Sequence, residues 1–157
     1  MNIGMIIHSQ TGNTYSVARK LEDRLKEADH TVFLERLEAI GQPSPRARDV
    51  RLRSVPDPEG YDALVLGAPV HAFSLSAAMQ AYLKQIGSLE GKRVALLVTQ
   101  RLPFRWLGGN RAVRQMRKAC RAKGAQVCGS GVVNWSRAGR EQRIAEVVEG
   151  LSRALSG

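Results

Sequence analysis

Short apolar runs alternate regularly along the chain with stretches of helical periodicity, and this alternation limits the folds that the chain can adopt. The apolar runs, each long enough for one strand, are residues 3–7, 31–37, 61–66, 93–99 and 125–134. Apolar side chains at helical spacing separate most of them. Because a parallel sheet covered on both faces is built from near-continuous apolar strands, the alternation predicts a doubly wound α/β fold with five strands.

The helices are predicted from apolar residues that recur three and four positions apart. The first begins near Thr14, with Asn13 or Thr14 available as its N-cap, and the others cover residues 76–86, 110–123 and 140–155. Segment 38–60 breaks the pattern with several prolines, so it is predicted to be a loop, or a short helix flanked by loops. Its arginines are expected to form a solvated face; they are Arg46, Arg48, Arg51 and Arg53.

Size and composition fit a single domain spanning residues 1–157. Hydrophobic residues make up 43% of the chain and charged residues 24%, as in globular proteins. The N-terminal sequence MNIGMIIHSQ has no basic region or cleavage site and is too short in apolar residues to cross a bilayer. We therefore expect a cytoplasmic protein with no membrane partner. Cys120 and Cys128 lack metal-ligand spacing and are expected to be buried thiols, with no metal site.

Basic residues are concentrated in one part of the chain. The net charge is +10, and no acidic residue occurs between Glu90 and Glu141, an interval with twelve lysines and arginines. Such a surface attracts anions, which include phosphates, acidic proteins and nucleic acid. It is equally consistent with a solvated face that only keeps the protein in solution.

Three turns are predicted at the carboxyl edge of the sheet, where open parallel sheets bind their ligands: residues 8–13, 68–74 and 100–109. The first turn combines hydroxyl and amide side chains with Gly12, directly before a helix. The unpaired amides and positive dipole of a helix N-terminus favour a bound anion, so this turn suits a phosphate.

Other phosphate-binding classes fit this turn poorly. No lysine follows Gly12, which excludes the P-loop pattern, and a single glycine excludes the dinucleotide pattern G-x-G-x-x-G. A phospho-acceptor domain would need acidic residues at the ends of the first and third strands. The chain has His8 and Ala68 at those positions.

Residues 9–14, SQTGNT, match the phosphate loop [TS]-x-T-G-x-T of the flavodoxin family, and the chain resembles flavodoxins over essentially its whole length. The resemblance implies a flavodoxin-like five-stranded parallel sheet of order 2-1-3-4-5 with helices on both faces. It also implies FMN as the cofactor. The implied phosphate ligands are the hydroxyls of Ser9, Thr11 and Thr14, the side chain of Asn13, and backbone amides around Gly12, and Gln10 is implied to bind the cofactor as well.

Two further stretches resemble the flavin-binding loops of that family. LGAPVHAFSLSAAMQAYL implies contacts from Pro69, Val70, His71, Ala72 and Phe73, with Ser74 capping the next helix; alternatively, Phe73 plugs the core. VTQRLPFRWLGGN implies contacts at the pyrimidine edge from Thr99, Gln100, Arg101, Leu102 and Pro103, with Gly108 and Gly109 leading into the next helix. Phe104 and Trp106 are either flavin contacts or apolar anchors of the loop.

Three functions fit these features. The first is an FMN-binding electron carrier that serves a redox protein partner, for which no catalytic side chain is required. The second is an FMN-dependent oxidoreductase that takes hydride from NADH or NADPH and reduces a quinone or a similar acceptor. The third is a non-enzymatic binder of anions or nucleic acid, although no nucleic-acid motif is visible. The oligomeric state stays open, and His8 is expected to pack or bond to backbone.

The chain differs from the electron-carrying members of that family in its charge. Those proteins are typically acidic, whereas this chain is strongly basic, so an acidic partner would complement it. The fully reduced flavin is an anion. Basic residues near it, such as Arg101, Arg105 and Arg111, are therefore expected to make its reduction potential less negative.

Overall fold

The central sheet has the predicted architecture. The structure is a computed structural model that describes residues 1–41 and 50–157. Its strands are β1 (Asn2–His8), β2 (Thr31–Leu37), β3 (Ala63–His71), β4 (Ser74–Leu75), β5 (Arg93–Gln100) and β6 (Gln126–Asn134). The long strands pair in parallel in the order β2-β1-β3-β5-β6, and the two-residue β4 pairs antiparallel with β3. The five-stranded order 2-1-3-4-5 is thus confirmed, and β4 is an unpredicted addition.

Helices cover both faces of this sheet. They are α1 (Asn13–Glu27), α2 (Ala77–Gln85), α3 (Gly109–Ala122) and α4 (Arg140–Ser156), and a short 3-10 helix spans Pro58–Gly60. One apolar cluster joins the sheet to α2 and α3 and includes the fully buried Met79 and Met116. The other joins the opposite face to α1 and α4 through Leu21 and Leu151. No helix in the described parts of the chain has the length and apolar character needed to cross a membrane.

The local differences from prediction lie at element ends. Gly12, with φ 93°, occupies the N-cap position of α1 and has no side chain to cap it, so the expected cap by Asn13 or Thr14 is wrong; the Ser9 hydroxyl accepts from the Tyr15 amide in the first turn of the helix instead. Ser76, and not Ser74, caps α2, because Ser74 is taken into β4. Strand β3 continues to His71, since it pairs with β5 as far as Pro69 and with β4 at Val70 and His71.

The irregular segment 38–60 is partly described. Arg46 and Arg48 lie outside the described residues, whereas Arg51 and Arg53 are exposed, as expected of a solvated face. Arg53 forms an exposed ion pair with Glu38 at 3.3 Å. The thiols also follow expectation in part, because Cys120 is buried and Cys128 half-buried. Burial raises the pKa of Cys120 to about 12, so this thiol stays protonated.

Candidate functional site

The three predicted turns meet at the carboxyl edge of the sheet around a cavity of about 160 Å³. Every residue that lines it belongs to the set predicted from the sequence. These residues are Gln10, Thr11, Asn13, Pro69, Val70, His71, Thr99, Gln100 and Arg101. The fold therefore brings side chains from the ends of β1, β3 and β5 to one place.

The first turn presents polar groups and the start of a helix to this cavity. Gly12 is in the left-handed conformation, which allows the chain to turn directly into α1, and its carbonyl accepts a hydrogen bond from the Ser16 amide at 2.9 Å. The Ser9 hydroxyl accepts from the Tyr15 amide at 3.1 Å and keeps its own proton available to donate. Gln10 and Thr11 are exposed. The turn can thus receive an anion from solvent.

Two threonines form the floor between the first and third turns. Thr14 lies in the first turn of α1 and Thr99 near the end of β5, and their hydroxyl oxygens lie 2.7 Å apart. Thr14 is 1% exposed and Thr99 is 2% exposed. Because each hydroxyl already has the other as a partner in a buried position, this pair fixes the first turn to the sheet.

The second turn is a tight hairpin, which the sequence did not predict. Val70 pairs with Leu75 and His71 with Ser74, so Ala72 and Phe73 are the two turn residues. Both have positive φ, 50° and 63°, as a hairpin turn that matches the strand twist requires. The interpretation of Phe73 as a core plug is wrong, because this side chain is 56% exposed at the hairpin tip.

A glutamine from α3 holds the hairpin in place. Gln115 Oε1 accepts hydrogen bonds from the Ser74 hydroxyl at 3.0 Å and from the Leu75 amide at 2.8 Å. Sequence reasoning missed this residue. Its only signal is a half-buried polar position on the otherwise apolar face of a helix.

The third turn is organised by Gln100. Its Nε2 donates to the carbonyls of Leu102 and Phe104, and its Oε1 is buried without a hydrogen-bond partner in the described structure. The Phe104 and Trp106 rings stack on each other with centroids 5.5 Å apart. Since they are 47% and 72% exposed, the apolar-anchor interpretation of both residues is wrong.

The second and third turns pack against each other at a glycine. A Cβ on Gly108 would lie 2.6 Å from Val70 Cγ1 and 2.9 Å from Phe73 Cα, and the φ of Gly108 is 118°. Only glycine satisfies both the conformation and the close approach. Gly109 follows as the first residue of α3, closely packed against the Gln100 side chain.

A histidine pair lies beside the cavity. His8 Nδ1 is 2.8 Å from the buried Ser76 hydroxyl, and the His8 and His71 rings meet edge to face at 5.9 Å. Burial, reinforced by His71, lowers the pKa of His8 to about 4, and burial also lowers the pKa of His71. Both rings are therefore neutral at pH 7. His8 thus packs against a neighbouring side chain, which is one of its two expected roles, and its hydrogen bond goes to the Ser76 hydroxyl and not to the backbone.

Other predicted residues lie around the rim. Ser9 lines a neighbouring cavity of about 270 Å³ that also contains Gln10 and His71 and extends to Arg36. Leu102 is exposed and Pro103 half-buried in the third turn. Arg36 was missed, although its place at the end of β2 puts it beside the first turn.

The residues present fit FMN in two respects, one at its phosphate and one at its ring. The first turn offers hydroxyl and amide donors at a helix N-terminus, which suits a doubly charged phosphate. Gln100 lines the cavity and has a buried oxygen without a partner, which suits an N–H donor on a ring held there.

Comparison with known proteins agrees with this geometry. Residues 1–140 match the sequence model of a family described as NADPH-dependent FMN reductase. No curated protein matches the chain.

Several solved structures share the fold. Oxidised flavodoxin 1 from Bacillus cereus is 16% identical, with a TM-score of 0.70 over 99% of this chain and 97% of that one. The flavodoxin from Streptococcus pneumonia TIGR4 is 16% identical, with a TM-score of 0.72 over 99% and 98%. A flavoprotein in complex with FMN from Lactobacillus acidophilus is 15% identical, with a TM-score of 0.64 over 93% and 97%.

Proposed function

The chain belongs to the family of NADPH-dependent FMN reductases and is an FMN-binding protein of flavodoxin-like fold, and on that premise we propose that it transfers electrons to or from a separate protein. When bound, FMN supplies the redox chemistry. The chain's own residues bind and orient the cofactor, and no catalytic side chain is needed.

The observation that supports this proposal most is the small volume of the cavity between the three turns. At about 160 Å³ it is smaller than the roughly 300–1,000 Å³ of sites that enclose a ligand. A flavin bound there remains partly exposed beside the exposed rings of Phe73 and Trp106. An accessible ring edge suits electron exchange with a docked protein.

The proposed phosphate ligands are the side chains of Ser9, Thr11 and Asn13 and the amides around Gly12. For Thr14 we propose a supporting role in place of the phosphate contact expected from the resemblance, because its buried hydroxyl bonds to Thr99. For the ring, we propose contacts from Val70, His71 and Gln100, which line the cavity.

The partner is proposed to carry an acidic surface around its own redox centre. Arg101, Arg105 and Arg111 are exposed in and after the third turn, and no acidic residue occurs between Glu90 and Glu141. Complementary charge raises the rate of encounter and falls off with added salt. Electron transfer to an acidic acceptor should therefore slow markedly at high ionic strength.

A second candidate is favoured by the family match, whose description is an NADPH-dependent reductase. In that case the protein oxidises NADPH by itself and reduces a small acceptor such as a quinone. Purified FMN-loaded protein with NADPH or NADH, with and without a quinone, separates the two. A carrier oxidises almost no nucleotide alone, whereas steady turnover without a protein partner would contradict the carrier function.

We also propose that residues 1–157 act as one domain in the cytoplasm. The two apolar clusters pack on opposite faces of one sheet, so a single sheet organises the described core. Cys120 and Cys128 are free thiols, as is usual in a reducing compartment.

A further inference from the structure

A second cavity lies on the far side of the third turn, between the end of β6 and the start of α4. It measures about 360 Å³ and is lined by Arg105, Arg137, Arg140, Arg143 and Asn134 among others. A neighbouring cavity of about 260 Å³ shares Arg105 and Arg143. Neither has a lining residue in common with the cavity between the three turns. We refer to the two together as the arginine groove.

The arginine groove has a large excess of positive charge. Its walls include one carboxylate, Glu146, and six arginines. These are the four already named together with Arg114 and Arg117. That carboxylate lies 3.5 Å from Arg143. Within the described parts of the chain, Arg105 and Arg137 form no salt bridge, so their charges are available to a ligand.

Two of the arginines are held in position. Arg143 Nε donates to the Val132 carbonyl at 3.1 Å, which fixes its guanidinium against β6. The Arg140 guanidinium lies 4.6 Å from the centre of the Trp135 ring and donates to the Trp135 carbonyl at 2.9 Å. Fixed guanidinium groups bind phosphate with less loss of side-chain freedom than mobile ones.

A buried amide gives an independent sign of a ligand. Asn134 ends β6, is 4% exposed and lines the groove, and its Oδ1 has no hydrogen-bond partner in the described structure. Buried polar groups almost always have partners, and an exception calls for an explanation. A carbonyl oxygen accepts hydrogen bonds, so a donor such as a ligand hydroxyl can pair with it.

We propose that the arginine groove binds a small phosphate ester that also carries hydroxyl groups, such as a sugar phosphate. The arginines bind the phosphate, and Asn134 accepts a hydrogen bond from a hydroxyl. An acidic protein surface fits less well, because Asn134 lies buried at the wall of a concave site. This site is separate from the proposed FMN site and does not depend on the electron-transfer function.

The test is calorimetric titration of FMN-saturated protein with ribose 5-phosphate, at constant ionic strength. FMN absorbance is followed in parallel to show that the cofactor stays bound. Ribose 5-phosphate is expected to bind saturably and at least about ten-fold more tightly than inorganic phosphate. Ribose alone is expected to give no heat. Absence of saturable binding would overturn the proposal.

Two double variants locate the binding. Arg105→Gln with Arg137→Gln removes two charges from the groove, and Lys118→Gln with Arg121→Gln removes two exposed charges from α3 outside it. The first pair is expected to weaken binding at least about ten-fold, because charge-assisted bonds to phosphate are lost. The second is expected to change it less than about two-fold. Equal losses of ribose 5-phosphate affinity in the two double variants would contradict a specific binding site in the arginine groove.

Asn134→Leu tests the amide directly. Removing a buried oxygen without a partner is expected to raise the melting temperature of the ligand-free protein and to weaken ribose 5-phosphate binding. A lower melting temperature with unchanged affinity would mean that Asn134 has only a structural role. If the chain failed to bind FMN, the same variants would still be compared without it, so the two proposals fail separately.

Discussion

The hydroxyl groups of Thr14 and Thr99 share a hydrogen bond of 2.7 Å that joins the first turn of α1 to the end of β5. Among the described residues, it is the one buried side-chain bond found between the turn proposed to bind phosphate and the turn proposed to lie at the pyrimidine edge of the flavin. Since both residues are almost fully buried, neither hydroxyl can find water if its partner is removed. The bond therefore holds two walls of the site together.

Thr14→Val and Thr99→Val are each expected to lower the free energy of unfolding by about 1–3 kcal/mol, because each leaves one buried hydroxyl without a partner. The double variant is expected to cost clearly less than the sum, since no hydroxyl is then left behind. Urea unfolding of all four proteins measures this. Additive losses would show that the two hydroxyls are not coupled.

Acidification is expected to destabilise the protein through His8. Its pKa is about 4 in the folded protein, against about 6.5 in the unfolded chain, because of burial and the neighbouring His71. Well above pH 6.5, His8 is neutral in both the folded and the unfolded chain, so it causes no loss of stability. As the pH falls from 6.5 to 4, only the unfolded chain takes up the proton, and stability drops by about 3 kcal/mol at most.

Urea unfolding at pH 7.5 and pH 5 checks this dependence. His8→Gln is expected to remove most of it, whereas the matched variant His30→Gln, between α1 and β2, is expected to retain most of it. A pH dependence unchanged in His8→Gln would refute the assignment.

Gly108→Ala is expected to separate the second and third turns. Its Cβ would overlap Val70 and the Phe73 backbone, and φ 118° is strained for alanine. We expect a loss of about 2 kcal/mol in stability and weaker FMN binding. The control is Gly150→Ala in α4, where a Cβ meets nothing within 4 Å, and there a gain of up to about 1 kcal/mol is expected. Unfolding and FMN titration of both variants decide, and an unaffected Gly108→Ala protein would contradict this packing.

Arg101 is expected to influence the flavin potential, because it lines the cavity between the three turns. The two-electron-reduced flavin is an anion, and a nearby guanidinium favours it. Arg101→Gln is therefore expected to make the potential more negative by tens of millivolts. Arg121→Gln on α3 serves as the control for net charge, and an equal shift in both variants would rule out a local effect.

The sheet was predictable because each long strand carries its own apolar pattern. The bounds of β2 were predicted without error, and β5 and β6 differ from prediction by one residue each. The hairpin was not predictable. Its turn residues Ala72 and Phe73 rarely adopt positive φ, and what holds the hairpin is Gln115, forty residues away in sequence.

The candidate site was predictable to a similar extent. The three turns could be placed from their positions after strands, because carboxyl ends of parallel strands share one edge. The exposure of the Phe73, Phe104 and Trp106 side chains could not be predicted, because the sequence does not distinguish an exposed aromatic residue from a buried one. The arginine groove was visible only as a basic stretch, because its walls come from three separate elements.

Titration of the purified protein with FMN and with riboflavin, with flavin fluorescence as the readout, tests whether the chain binds a flavin through its phosphate. The two ligands share the ring and differ in the phosphate that the first turn is proposed to bind. We predict that FMN binds at least about a hundred-fold more tightly than riboflavin, as several charge-assisted hydrogen bonds imply. Equal affinity for the two, or no binding of either, would contradict the account.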